Sequence, residues 1–148
     1  MIDRTQAVKD SLVQILPAID RVSARFYANL INRDRSLQPI LDRIDAPSRS
    51  IVLGNGLAAV VANLDRPLVL ESILGEIGRA HRRLGVRREH IGIALDSLLY
   101  ALREVVPDWD AALEEAWFEV AAVMMEHVER GMMSDRIRQT QTETAGVG

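Results

Sequence analysis

Apolar residues recur at intervals of three and four along almost the whole of this 148-residue chain. That spacing places them on one face of a helix, because an α-helix completes a turn in about 3.6 residues. No segment alternates apolar and polar residues as a half-buried strand does, and the hairpin-like pair Asn55-Gly56 lies inside a helical stripe. The sequence therefore predicts an all-α domain, and Gly54 and Gly56 predict a close helix crossing within it.

Prolines and polar segments divide these stripes into separate helices. Pro17 separates a first helix, which starts near residue 3, from a second helix that contains Phe26 and Tyr27. Residues 32–46 form a polar connector with at most one or two turns. The later helices are predicted to cover residues 47–64, 70–81, 87–106 and 108–133. We expect one domain at residues 1–134 and a disordered polar tail at residues 135–148.

Composition excludes several classes of function. The chain has 18 Lys plus Arg against 21 Asp plus Glu, and this acidic balance argues against nucleic-acid binding. Cysteine is absent, which removes thiolate metal sites, catalytic cysteines and thioether-attached cofactors. The longest uncharged stretch, residues 50–64, is too short to span a bilayer. We therefore expect a cytoplasmic protein with no membrane partner.

One of the three histidines continues an apolar stripe. His81 follows Ile77 by four residues and Leu74 by seven, so it lies on the face that these core residues share. A lone histidine there is either a hydrogen-bonded core residue or a ligand. His90 and His127 each follow a glutamate, and we expect both to be solvated.

The order of these segments resembles that of bacterial single-domain globins and of the haem domain of flavohaemoglobins. The resemblance covers roughly residues 5–133. It is carried by Phe26-Tyr27, residues 57–64, the segment His81-Arg82-Arg83-Leu84-Gly85-Val86-Arg87-Arg88-Glu89-His90, Leu98-Leu99 and Ala116-Trp117. It implies the globin fold, a three-over-three helical sandwich, and a non-covalently bound haem b.

The resemblance also implies roles for individual residues. His81 matches the proximal histidine, whose imidazole nitrogen binds the haem iron. Tyr27 and Leu53 match the distal ligand pocket, where the tyrosine hydroxyl donates a hydrogen bond to bound dioxygen. Arg49 stands at the gate position and would pair with a haem propionate, or else be exposed without a role. The apolar residues expected to line the porphyrin, or to support those that do, are Leu41, Leu53, Leu57, Leu74, Ile77, Leu84, Ile91 and Leu95.

Three positions depart from the family pattern. Leu41 stands where the family has a phenylalanine that wedges the haem, and a leucine covers less of the porphyrin than an aromatic ring does. Ile91 and Met132 stand where flavohaemoglobins have the tyrosine and glutamate that raise the basicity of the proximal histidine. Glu129 could replace that glutamate from one turn earlier. Without such a carboxylate, a finely tuned NO dioxygenase is disfavoured.

We expect a haem-binding globin that reversibly binds O2, NO or CO at a five-coordinate haem b iron, rather than an enzyme. No flavin or nicotinamide segment follows the globin-like part, so any NO dioxygenase-type activity would need a separate reductase. The alternative is a globin-fold sensor or regulatory interaction module with reduced or lost haem binding. Leu41 and an arginine-rich rim motivate this alternative; the rim consists of Arg79, Arg82, Arg83, Arg87 and Arg88. A homodimer formed through the helices of Leu98 and Trp117 also stays open.

Overall fold

The computed structural model describes residues 4–145, with side chains described for residues 4–134. Its α-helices are α1 (Arg4–Ile15), α2 (Ile19–Arg33), α3 (Gln38–Leu41), α4 (Ala46–Ala62), α5 (Pro67–Arg83), α6 (Arg88–Val105) and α7 (Ala111–Ala145). Single turns of 3-10 helix, Leu16–Ala18 and Arg35–Leu37, precede α2 and α3. Residues 4–145 contain no strand, so the prediction of an all-α chain is confirmed.

Local sequence signals set the helix boundaries. Pro17 lies in the 3-10 turn between α1 and α2, where its missing N–H costs no helical hydrogen bond. Asp45 caps α4, since its carboxylate accepts a hydrogen bond from the Ser48 backbone N–H at 2.9 Å. The chain leaves α5 through Gly85, whose φ of 94° lies in the left-handed region that a side chain would strain.

The helices pack as two layers of three. One layer contains α1, α4 and α5, and the other contains α2, α6 and α7; the main contacts between the layers join α5 to α7, α2 to α4 and α1 to α7. Trp117 of α7 is buried and donates a hydrogen bond from Nε1 to Ser11 Oγ of α1 at 2.9 Å. In the second layer Ser97 Oγ of α6 donates to Asn29 Oδ1 of α2 at 2.9 Å. The three-over-three arrangement expected from the sequence is confirmed.

The tightest crossing in the described chain joins α5 and α7 through glycines. A Cβ atom added to Gly78 would lie 2.2 Å from the Val128 carbonyl oxygen, and one added to Gly131 would lie 2.3 Å from the Gly75 carbonyl oxygen. Both obstacles are backbone atoms, which cannot rotate aside. The predicted crossing at Gly54 is looser, with Ile19 Cγ1 at 3.2 Å, and Gly56 has no atom within 4 Å. The close crossing predicted at Gly54 is therefore confirmed, whereas the tighter contact at Gly78 and Gly131 was not predicted from the sequence.

Helix α7 is longer than expected. The predicted end near residue 133 is wrong, because the helix continues to Ala145. No glycine or proline lies between residues 132 and 145 to end it. The domain boundary at residue 134 and the disorder of residues 135–148 stay predictions, since the side chains of residues 135–145 and all of residues 146–148 lie outside the described part. No helix of the described residues is both long and apolar enough to cross a membrane.

We expect Gly78→Ala to lower the free energy of unfolding by about 1–3 kcal/mol, because the new methyl group would push α5 away from α7. Gly56→Ala is the matched control. It adds the same methyl group where nothing lies within 4 Å, so helix propensity alone should raise the free energy of unfolding by about 0.5–1 kcal/mol. Urea unfolding followed by circular dichroism measures both. Equal effects of the two substitutions would contradict the backbone contact.

Candidate functional site

His81 lies in the last turn of α5, where its own helix orients the ring. His81 Nδ1 is 2.8 Å from the Ile77 carbonyl oxygen. A carbonyl oxygen only accepts hydrogen bonds, so Nδ1 carries the proton and Nε2 keeps its lone pair. The Val86 N–H donates to the His81 carbonyl oxygen at 3.0 Å, which holds the turn after the histidine in place. This is the arrangement of a histidine that binds a metal through Nε2.

Several apolar side chains on α4, α5 and α6 are only half-buried. Helices α4 and α5 make few contacts with each other. Leu53 of α4, Ile77 of α5 and Leu95 of α6 pack against the core but keep part of their surface exposed. A Cβ atom on Gly85 would lie 3.7 Å from Ile40 Cδ1, so α3 adjoins the turn after α5. These elements provide apolar surface that a flat hydrophobic group would cover.

The predicted cofactor-binding residues divide by burial. Leu41, Leu57, Leu74 and Ile91 are at most 8% exposed and belong to the central core. Half-buried residues are Tyr27, Arg49, Leu53, Ile77, His81, Leu84 and Leu95. Leu84 alone among the apolar ones is not part of the core cluster or packed against it. The four buried leucine and isoleucine side chains could only pack behind a bound group. The half-buried side chains keep accessible surface that could contact it.

Tyr27 and Arg49, predicted for the same side of the pocket, do lie together. The Arg49 guanidinium carbon is 5.3 Å from the centroid of the Tyr27 ring, within the range of a cation–π contact. The Phe26 ring tilts against Tyr27 with centroids 4.7 Å apart. Burial raises the pKa of the Tyr27 hydroxyl above its ordinary value of 10.0, and the charge of Arg49 lowers it by less. The hydroxyl is therefore protonated at neutral pH and can donate a hydrogen bond.

One nitrogen of the Arg49 guanidinium has no hydrogen-bond partner in the protein around it. This nitrogen, Nε, is buried. Asp45, one turn earlier on the same helix, accepts hydrogen bonds from the backbone N–H and the hydroxyl of Ser48, each at 2.9 Å, and its charge interacts with that of Arg49 without direct ion-pair contact. Ion pairs within residues 4–134 do not include Arg49. A buried donor of this kind fits an acceptor supplied by a bound group.

Sequence reasoning missed His90, and the expectation that it is solvated is wrong. The residue is 3% exposed, and its Nδ1 accepts a hydrogen bond from the Arg87 backbone N–H at 3.0 Å. Its Nε2 lies 3.2 Å from an Asp34 carboxylate oxygen, close enough for an electrostatic contact. His90 therefore ties the start of α6 to the end of α2. One signal in the sequence could have indicated this burial. His90 stands three residues after the first residue of the cap, where a Glu or Gln side chain often accepts a hydrogen bond from the cap backbone.

Neither position from which the sequence led us to look for a carboxylate partner of His81, residue 91 or residue 132, holds one. Ile91 and Met132 are buried and apolar. Glu129, the substitute considered from the sequence, lies with its carboxylate 3.5 Å from Arg88 Nε. No hydrogen bond or ion pair joins a carboxylate to His81 in the part of the chain with described side chains. The imidazole is therefore oriented by a backbone carbonyl alone, which raises its basicity less than a carboxylate does.

The arginine-rich rim is mostly engaged within the protein. Its contacts are Arg79 to Glu76 at 2.5 Å, Arg82 to the Met132 carbonyl oxygen at 3.2 Å, Arg87 to Glu89 at 3.2 Å and Arg88 to Glu129 at 3.5 Å. Among the described side chains, Arg83 is the member with no such contact. The rim thus presents less free positive charge than its sequence indicates.

We expect Asp34→Asn to remove part of the acid sensitivity of folding. Two hydrogen bonds from Ser36 lower the pKa of the Asp34 carboxyl below its ordinary value of 3.8, with smaller contributions from His90 and Arg87. A lowered folded-state pKa means that the ionised carboxylate stabilises the fold above about pH 4 and loses that effect as pH falls through the lower value. The wild type should therefore lose its stability advantage over the variant between about pH 5 and pH 3.

Ser36→Ala is the matched variant, because it removes the largest cause of that lowered pKa and keeps the carboxylate. Its stability should fall less steeply with acid than that of the wild type. Denaturant unfolding at several pH values measures all three proteins. Parallel pH profiles for wild type and Asp34→Asn would contradict the assignment.

Comparison with known proteins identifies the family. The globin family model matches residues 43–128. The chain is 25% identical over 134 residues to a flavohemoprotein of Bacillus subtilis, which covers 86% of this chain and 32% of that protein. It is 30% identical over 105 residues to a flavohemoprotein of Bacillus cereus, covering 70% of this chain and 26% of that protein.

A neuroglobin of Danio rerio is 31% identical over 74 residues, which is 49% of this chain and 46% of the neuroglobin. The chain spans only 26% to 37% of the length of the flavohemoproteins it matches. Its two layers of three helices and the family match across residues 43–128 agree. The chain belongs to the globin family.

Proposed function

We propose that this globin binds haem b through His81 Nε2 and reversibly binds a diatomic gas, O2, NO or CO. The observation that carries the proposal is the hydrogen bond between His81 Nδ1 and the Ile77 carbonyl oxygen, because it leaves Nε2 free to bind iron. Haem supplies an iron with an open coordination position for the gas. Its attachment is non-covalent, since the chain has no cysteine to form a thioether.

The apolar surroundings support this proposal. Leu53, Ile77 and Leu95 offer partly exposed apolar surface, and burying such surface contributes about 25 cal/mol per Å². Leu41 is buried against the core at the position of the family phenylalanine, so it provides an apolar wall without an aromatic face. We infer that porphyrin contact falls mainly on the half-buried residues, with Leu57 and Leu74 packed behind them.

Tyr27 is the proposed hydrogen-bond donor to the bound gas. Its hydroxyl is protonated at neutral pH, and no hydrogen bond from it is found within residues 4–134. A hydrogen bond to a ligand that carries partial negative charge contributes about 1–3 kcal/mol in a dry pocket, or about 5- to 150-fold in affinity. Dioxygen polarises in this way and carbon monoxide much less, so the hydroxyl favours dioxygen.

Ligand binding suits the site better than redox catalysis. His81 has no carboxylate partner among the described residues, and Glu129 is paired with Arg88. The histidine therefore donates less electron density than one held by a carboxylate.

We expect the haem-reconstituted wild type to show a strong Soret band and His81→Ala to lose or shift it, because the side chain that binds iron is gone. His81→Gly leaves a larger space, so added imidazole should restore part of the band. His127→Ala is the control, since it removes a half-buried histidine of α7 that takes no part in the proposed site. Absorbance titration with haem measures all four. A folded wild type that shows no Soret band would refute the proposal.

We expect Tyr27→Phe to raise the dissociation rate of dioxygen by about 5- to 150-fold, because the hydrogen-bond donor is lost while the ring stays. The dissociation rate of carbon monoxide should change much less. Tyr100→Phe is the matched control, as Tyr100 lies in a surface groove beside Arg103 and Phe118. Stopped-flow ligand replacement measures these rates. Equal changes for both gases would contradict the hydrogen bond.

A further inference from the structure

We propose that an open groove on the layer of α2, α6 and α7 binds a second copy of this chain, so that the protein associates as a two-fold symmetric dimer. The groove has a volume of about 510 Å³. We call it the outer groove, and its lining includes Arg33 of α2, Asp96 and Arg103 of α6, and Ala111, Glu114 and Phe118 of α7. None of these residues was assigned to the candidate haem pocket, so the proposal is independent of the proposed function.

Phe118 gives the outer groove an exposed aromatic ring. Its side chain is 62% exposed, although the preceding Trp117 is only 1% exposed. Aromatic rings bury a large apolar area when a partner covers them and carry much of the binding energy of interfaces. Leu98 and Trp117, on the helices considered for a dimer from the sequence, are buried in the core and cannot touch a partner. The contact therefore falls on Phe118 and its exposed neighbours.

Phe118 belongs to an exposed stripe along α7. Ala111, Phe118, Ala122 and Met125 are all exposed. Together with Glu115 they follow one another at alternating intervals of four and three residues, which is the spacing of a seam that one helix presents to another. Single apolar residues are common on the surface of monomers, whereas a contiguous apolar patch marks an interaction site.

The stripe and the outer groove share one face of the molecule, because Ala111 and Phe118 belong to both. A two-fold interface uses the same patch on both copies, so the patch must complement itself. Here one patch offers both an exposed ring and a groove beside it. The ring of each copy can therefore enter the groove of the other.

The charges of the outer groove favour a second copy over a partner of a single charge sign. Two arginines and three acids line it, Arg33 and Arg103 with Asp96, Glu114 and Glu115, which leaves one net negative charge. Arg33 pairs with Asp96 at 3.6 Å and Arg103 pairs with Glu114, through side chains that are 42% to 65% exposed. A nearly neutral face with both signs lets the arginines of one copy meet acids of the other, whereas a polyanion finds no net attraction.

Sedimentation velocity of the full chain, with and without haem, tests the proposal. The wild type should have twice the chain mass of 16.5 kDa at high protein concentration and should dissociate on dilution. Phe118→Glu should raise the dissociation constant by about tenfold or more, because it places a charge at the apolar centre of the contact. Its Soret band after haem reconstitution should equal that of the wild type.

Val13→Glu is the matched control. It introduces the same charge at an apolar residue of α1 that is 73% exposed and belongs to the other layer. Its dissociation constant should match that of the wild type. Circular dichroism of both variants should show wild-type helix content, because neither residue is buried in the core.

The absence of cysteine allows a second measurement that locates the contact. A single introduced thiol can react only with its counterpart on another copy. Ala122→Cys, on the exposed stripe, should form a covalent dimer with a bifunctional maleimide, and Val13→Cys should not.

Three outcomes would overturn the inference. The first is a wild type that keeps the mass of one chain at about 1 mM, where a contact with a millimolar dissociation constant is already populated. The second is a dimer that Phe118→Glu leaves intact. The third is crosslinking from residue 13 in place of residue 122, since association then uses another face. None of these bears on haem binding, which the Soret band reports separately.

Discussion

The contact between the backbones of α5 and α7 determines where His81 can lie. The Val128 carbonyl oxygen occupies the space that a side chain on Gly78 would need, and the Gly75 carbonyl oxygen does the same at Gly131. Rigid groups therefore fix the separation of these helices, and Arg82, which donates to the Met132 carbonyl oxygen, adds a polar contact beside the crossing. His81 follows Gly78 by less than one helical turn. The place of its imidazole therefore depends on how closely α5 packs against α7.

The two sides of the candidate site differ in electrostatic character. On the side of His81, a backbone carbonyl orients the imidazole, and the neighbouring carboxylate of Glu129 is held by Arg88. On the side of Tyr27, a protonated hydroxyl belongs to a ring that the Arg49 guanidinium contacts, and the Nε atom of that guanidinium has no hydrogen-bond partner. Negative charge on a ligand would therefore be stabilised mainly by the donors around it and less by electron donation through the histidine.

His90 shows how a polar residue can support such a site from outside. Its ring receives the Arg87 N–H and lies beside the Asp34 carboxylate, so the start of α6 is held against the end of α2. Those two helices carry Ile91, Leu95 and Tyr27. The walls of the candidate pocket are thus held together by a buried imidazole as well as by apolar packing.

Much of this could be predicted from the sequence, because the signals are local. Pro17, Asp45 and Gly85 end or begin helices through properties of their own backbone or of atoms within three residues. The apolar period that contains Ile77 also placed His81 on an inward face, and the order of the segments identified the family. The length of α7 was underestimated because a polar segment without glycine or proline can continue a helix.

The amino-acid sequence by itself determined the all-α class, most helix boundaries and the place of His81 on the apolar face of its helix. Only the tertiary structure decided which charges are paired. Among the described side chains, four of the five rim arginines find partners, whereas Arg49 Nε finds none; His90 is buried, and Gly78 lies against a backbone oxygen. Helix periodicity and capping act over a few residues, whereas these outcomes depend on which helix lies opposite. Residues on two facing helices lie far apart in the sequence, so a pattern confined to a few neighbouring residues cannot predict their contact.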